Sequence, residues 1–203
     1  MRKATLLFLA IISIQVSFGQ LTKGNWLVGG AGEFSAYSET SKIIASTIYT
    51  QNVKAFNISV SPNIGYFIKD RFVVGLRPSL IWGKGKAGDA VALDGSIVGS
   101  GGRSNQFRFV AGPFTRYYLL DTDKPFNILV EAAYQYGIGN PKPVNEKINI
   151  FSAGVGPVIY FNSSVGLEFI LGYNNTALNT DGYHTLSRHS IQLAVGLQVH
   201  LEK

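Results

Sequence analysis

The chain has 203 residues with 18 Lys and Arg against 12 Asp and Glu, a formal charge of +6, 23 glycines, 13 Phe, 10 Tyr and no cysteine. The missing cysteines exclude a disulfide framework and a thiolate metal site. The lysines lie mostly in turns and loops, so no basic stripe supports nucleic-acid binding.

Met1-Arg2-Lys3, an apolar run from Ala4 to Val16, and Ser17-Phe18-Gly19 read as the charged region, apolar region and small-residue cleavage site of an export signal. The expected division is a signal peptide over 1–19 and one β-barrel domain over 20–203. The run is interrupted by Ser13 and Gln15 and is shorter than the ~20 residues of a membrane-spanning helix. No later segment is apolar for long enough either, so any crossing must be made by strands.

Alternation with a period of two predicts strands near 25–37, 54–68, 71–83, 105–120, 126–138, 148–161, 165–175 and 188–201. In the second, Phe56, Ile58, Val60, Pro62, Ile64 and Tyr66 alternate with Asn57, Ser59, Ser61, Asn63 and Gly65. In the last, Ile191, Leu193, Val195, Leu197, Val199 and Leu201 alternate with Ser190, Gln192, Ala194, Gly196, Gln198 and His200. An amphipathic helix cannot carry that period.

Connections alternate in length: Lys69-Asp70, Asp121 to Pro125 and Asn162-Ser163-Ser164 are tight, whereas 38–53, 84–104, 139–147 and 176–187 are long. An all-β, eight-stranded, antiparallel up-and-down transmembrane β-barrel satisfies this asymmetry, with short turns periplasmic and long loops extracellular. Aromatic residues on the outward phase fall into two girdles. Trp26, Tyr66, Phe72, Tyr117, Phe126 and Phe161 lie near the short turns, and Phe34, Phe56, Trp82, Phe107, Tyr136, Phe151 and Tyr173 near the long loops.

A soluble lipocalin-like barrel also alternates, but with its apolar face inward and a charged surface. Here the polar phase is mainly Gly, Ser, Asn and Gln with three acids and three arginines, Glu33, Arg77, Arg108, Arg116, Glu131 and Glu168. That balance suits an enclosed lumen, where charges must be paired. The six form either a structural plug or the lining of a solute pathway, and the width of an eight-stranded barrel favours the plug. Pro62, Pro78, Pro113 and Pro157 fall mid-strand on the outward phase, where each removes a ladder hydrogen bond, so bulges are expected there. Gly112-Pro113 and Gly156-Pro157 recur in similar settings.

Segments such as Ala153-Gly154-Val155-Gly156-Pro157-Val158 and the ending Gly196-Leu197-Gln198-Val199-His200-Leu201, with the signal and the eight strands, resemble the porin-like outer-membrane β-barrel domain family. The chain also looks like the small barrels of outer-membrane protein X and outer-membrane protein A. The resemblance implies the outer membrane of a Gram-negative bacterium, outer-membrane lipid as surroundings, and recognition of the last strand by the barrel-assembly machinery during biogenesis.

Catalytic and binding motifs are weak. Gly83-Lys84-Gly85-Lys86-Ala87 lacks the Ser or Thr and the following helix of a phosphate loop, and Gly99-Ser100-Gly101-Gly102 lacks strand-to-helix context. His184, Ser187, His189 and Ser190 cluster near one loop, but Glu33, Glu131 and Glu168 take the phase opposite to His189, which argues against a Ser-His-acid array. The residues imply no catalytic site, cofactor or metal site. The expected role is structural or surface-interacting, with an extracellular or envelope protein as partner through loop 84–104. A narrow solute channel is the alternative, and a lipid-modifying enzyme the third reading.

Overall fold

A computed structural model describes residues 21–44, 48–121, 124–140, 146–180 and 183–202. The expected signal peptide and its cleavage point lie outside them. Among the described residues there are ten strands. They are β1 (Trp26–Ile44), β2 (Ile48–Lys69), β3 (Phe72–Ala87), β4 (Ala90–Ala92), β5 (Ile97–Gly99), β6 (Arg103–Tyr118), β7 (Phe126–Asn140), β8 (Glu146–Tyr160), β9 (Val165–Thr180) and β10 (Tyr183–Leu201).

Eight of these close a barrel. Sheet order runs β1-β10-β9-β8-β7-β6-β3-β2, and β1 pairs β2 as well as β10, so no edge is left within the barrel wall. All barrel pairings are antiparallel between sequential strands, which is the up-and-down meander expected. Closure leaves the wall without a free edge, the condition for crossing hydrocarbon with strands.

Side-chain direction follows the alternation. Leu76, Leu171 and Ile191 are 60%, 58% and 70% exposed on the outer face, while Arg116 and Glu168 are 1% and 0% exposed inside. An apolar exterior around a charged interior inverts the arrangement of a water-soluble barrel. Both aromatic girdles stand on the outer face, with Trp26 edge-on to Tyr66 at 5.1 Å and Trp82 tilted against Phe107 at 5.7 Å.

The strands are longer than the alternation alone suggests. β1 and β2 continue past the outer girdle almost to each other, β7 with β8 and β9 with β10 do the same, and the long loops shrink accordingly. Segment 84–104 is also not a plain loop. Its first residues extend β3, and β4 and β5 form a hairpin whose Ala92 and Val91 pair with Tyr49 and Thr50 of β2. Within this hairpin Ser96 donates from its backbone and its hydroxyl to the Asp94 carboxylate, which holds that carboxyl below its usual range.

On the opposite side the turns are tight. Asp70 and Arg71 connect β2 to β3, one residue later than the sequence suggests, and Arg71 takes a left-handed φ of 65°. Asn162 accepts the backbone N–H groups of Ser164 and Val165 at 2.9 and 2.8 Å, a side-chain substitute for a backbone turn bond.

The bulges expected at the prolines do not form. Pairing jumps from Val60↔Leu80 to Ile64↔Leu76, from Ala111↔Tyr136 to Phe114↔Ala133, and from Val155↔Leu171 to Val158↔Glu168. Equal numbers of residues are skipped on both strands each time, so the register is kept and the ladder is merely interrupted. The reason is geometric: an antiparallel residue bonds to one neighbour only, so a proline opens one seam and leaves the other intact. Pro62, Pro78, Pro113 and Pro157 keep their partners Gly30, Ala111, Leu76 and Ile128 on the intact side. Pro62 and Pro78 face each other across one open seam, so four prolines cost three interruptions.

Candidate functional site

Alternation aims four charged side chains from β3, β6, β7 and β9 into the lumen, where they form one chain of ion pairs. Arg77 Nη1 and Nη2 donate to Glu131 Oε1 and Oε2 at 2.9 and 2.8 Å, a bidentate fork. Arg116 donates from Nε and Nη2 to the same Glu131 Oε2 at 3.2 and 2.8 Å, and from Nη1 to Glu168 Oε1 at 2.6 Å. Charge-assisted, bidentate contacts are the strong end of the hydrogen-bond range. The Arg77 guanidinium also lies 4.7 Å from the centroid of the Phe114 ring. Gln135 Nε2 donates to the Arg77 carbonyl at 2.9 Å and to Ser79 Oγ at 2.7 Å, which fixes the strand beneath the arginine.

The six charges of the sequence reading therefore divide. Arg77, Glu131, Arg116 and Glu168 form a cross-lumen tetrad; Glu33 and Arg108 lie apart, on the wall of a small polar vestibule of about 60 Å³. There Glu33 Oε2 accepts from Ser59 Oγ at 2.8 Å, and Asn174 Nδ2 donates to Gln192 Oε1. A space of that size holds a few waters.

On the short-turn side of the tetrad the lumen is apolar. Phe67, Tyr118 and Tyr160 surround His200, with ring centroids 5.7–6.1 Å apart, and Leu27, Val73, Leu129 and Val158 pack around them. Leu21, ahead of β1, is fully buried in this cluster. Its carbonyl accepts Arg71 N at 2.7 Å, and Lys23 N donates to Asp70 Oδ1 at 2.7 Å, so the N-terminal segment is tied across the barrel base. Arg71 in turn pairs with Asp121 at 3.0 Å.

This corrects the expectation of a mainly polar interior. The residues missed are Leu27, near the start of β1, and Phe67, Val73, Tyr118, Leu129, Val158 and Tyr160, which sit on the polar phase within a few positions of a short turn. Their common place in the alternation was the available signal. A second apolar group, Val110, Ile148, Ile150 and Leu178, lines the wall toward the long loops.

The Ser and His cluster does not assemble. His189 Nδ1 shares a 2.5 Å hydrogen bond with the Tyr173 hydroxyl on the outer face, and Ser187 Oγ donates to Asn175 Oδ1 at 3.2 Å. Ser190 lies on the opposite face, on the vestibule wall. The side chain of His184 lies outside the described ones. Among the described residues no group of three His, Asp or Glu gathers as a cation site.

A closed eight-stranded barrel with an apolar belt, two aromatic girdles and an ion-paired interior is the fold of the small outer-membrane barrels. The chain is similar in structure to the outer membrane protein OprG from Pseudomonas aeruginosa, with a TM-score of 0.62 and 9% identity over 90% of this chain and 98% of that one. The N-terminal β-barrel domain of Pseudomonas aeruginosa OprF aligns over 88% of this chain and 98% of its own at a TM-score of 0.38 and 13% identity. No family model matches the sequence, and no curated protein does.

Proposed function

We propose that the protein is a porin-like barrel of the outer membrane whose interior is a plug and whose working surface is extracellular. The observation that carries this reading is the stack of closures in the lumen: the tetrad, then the aromatic cluster, then Leu21 tied across the base. An eight-stranded wall leaves room for side chains and little more.

Planar-bilayer recording is the test. The folded protein is expected to give no steps above the lipid baseline, and Phe67→Ala combined with Tyr118→Ala should still give none, because the tetrad and Leu21 remain in series with the emptied cluster. Steady conductance in the unmodified protein that changes on replacing Arg108 or Arg116 would support the narrow solute channel instead.

For the surface role, the β4–β5 hairpin is the preferred contact. Leu93 and Ile97 are 75% and 67% exposed on it, and its pairing with Tyr49 and Thr50 sets it past Phe56 of the outer girdle along β2. Exposed apolar side chains on a short hairpin suit an extracellular or envelope protein partner. Deleting residues 88–101 is expected to leave the heat-modifiable folded band on SDS gels intact, because the segment adds to the barrel the Tyr49 and Thr50 pairings and the bonds of Gly88 to Asn52 and Gln51, all at the far end of β2. Loss of that band would mean that the hairpin belongs to the scaffold.

A further inference from the structure

The strand register gathers cations that are scattered in the sequence. Ser38 faces Lys54, Lys54 faces Lys86, and Lys86 faces Arg103, one continuous row across β1, β2, β3 and β6. Lys84, beside Phe56, stands one step lower on the same outer face. Like charges directly opposite each other on one face of a sheet repel. Among the described residues none of these four cations makes an ion pair or a side-chain hydrogen bond. The acids of the adjoining loop are engaged within it: Asp89 accepts Gly101 N at 2.7 Å and Asp94 is held by Ser96.

The row borders an open concavity of about 830 Å³ whose walls include Ala36, Phe56 and Gly85. Phe56, a member of the outer girdle, is part of its wall. Phe56, Trp82 and Phe107 mark where hydrocarbon gives way to headgroups, and at ~3.4 Å per residue the cations stand roughly 7–14 Å further along the strands. They project sideways from the barrel wall, toward neighbouring lipid, and not upward from the loop tips.

We propose that this face binds the phosphorylated headgroup of an outer-leaflet glycolipid, with Lys54, Lys84, Lys86 and Arg103 supplying the countercharge and Phe56 the contact with the sugar or acyl boundary. The inference rests on the outer-membrane reading above. Charge complementarity selects the ligand: the row and Lys84 below it hold four cations without an ion pair among the described residues, a phosphate brings an anion, and the girdle fixes the height at which that phosphate lies. An anionic surface attracts each nearby Lys or Arg strongly enough to change affinity about fivefold.

The test folds the full chain into neutral micelles and titrates it with bisphosphorylated lipid A, with the same lipid after enzymatic dephosphorylation, and with inorganic phosphate. Loss of the SDS-resistant band on heating and the emission of Trp82, read in a chain whose other tryptophan is replaced by Trp26→Phe, are the two readouts. Bisphosphorylated lipid A is expected to raise the unfolding temperature and shift the emission, with the other two inert over the same range. The variant Lys54→Gln/Lys84→Gln/Lys86→Gln/Arg103→Gln should need at least about tenfold more lipid A for the same response. If that variant does not fold, Lys86→Gln alone, at the centre of the row, should need about fivefold more.

An equal response to the dephosphorylated lipid, or an unaltered response of the variants, overturns the proposal. So does saturation by inorganic phosphate at the same concentration, which would make the site one for a free anion. Failure of the unmodified chain to form a heat-modifiable band in micelles would instead overturn the membrane-barrel reading on which the proposal rests.

Discussion

Replacing Glu131 by Gln is expected to destabilise the barrel by about 3–5 kcal/mol, the range for removing one partner of a buried ion pair. Glu131 is the centre of the tetrad: it accepts both Nη atoms of Arg77 and two donors from Arg116, and it is nearly inaccessible to solvent. With Gln in its place, two buried guanidiniums are left with the single carboxylate of Glu168. The volume is unchanged, so the cost measures charge and not packing. Replacing Arg77 by Met is expected to cost less, about 2 kcal/mol, because Glu131 keeps Arg116 as a partner. Urea unfolding of the vesicle-embedded protein, followed by tryptophan emission, gives both values. Near-equal losses for the two variants would mean that Arg77 and Arg116 do not share Glu131 as described. Replacing all four charges with apolar residues of similar volume should be far milder than Glu131→Gln, since well-packed apolar groups can match a buried ion network.

The same tetrad marks how far a period-two reading reaches. Strand number, sidedness, the girdles and the inward direction of all six charges follow from alternation, because in a sheet a residue's parity decides its face. Which charges meet does not follow, since pairing across a lumen depends on strand tilt and stagger, and these act between strands far apart in the chain. Glu33 and Arg108 share the parity of the tetrad yet sit at another level. The basic row illustrates the same gap from outside: Lys54 at the start of an expected strand and Lys86 and Arg103 in an expected loop look unrelated until the register sets them side by side. The apolar base was hidden for a different reason. Parity separates inside from outside but carries no information about depth, and near the short turns the interior stops being polar. The long loops were overestimated because alternation fades where strands leave the membrane and both faces meet water, although the ladders continue.

The largest backbone effect is expected at the open seams. Gly112 and Gly156 each precede the proline that interrupts a ladder, and in both the partner strand moves in: a Cβ on Gly112 would collide with the Tyr134 carbonyl oxygen, and one on Gly156 with that of Phe169. Backbone carbonyls cannot swing aside as a flexible side chain can, so relief requires strands to separate at a point where bonds are already missing. Gly112→Ala and Gly156→Ala are each expected to cost about 1–3 kcal/mol, the range for forcing an extra carbon into a packed interior, and Val at either site more. Gly102 is the internal control, with no heavy atom within 4 Å of an added Cβ, and its replacement by Ala should leave stability unchanged. Urea midpoints of the vesicle-embedded variants decide the matter. Gly156→Ala as stable as Gly102→Ala would show that the strands can part freely at the seam. A clear loss at both Gly-Pro sites, with none at Gly102, would explain why the same dipeptide stands at the β6–β7 and β8–β9 interruptions: each proline opens the ladder, and the glycine before it lets the neighbouring backbone close the gap.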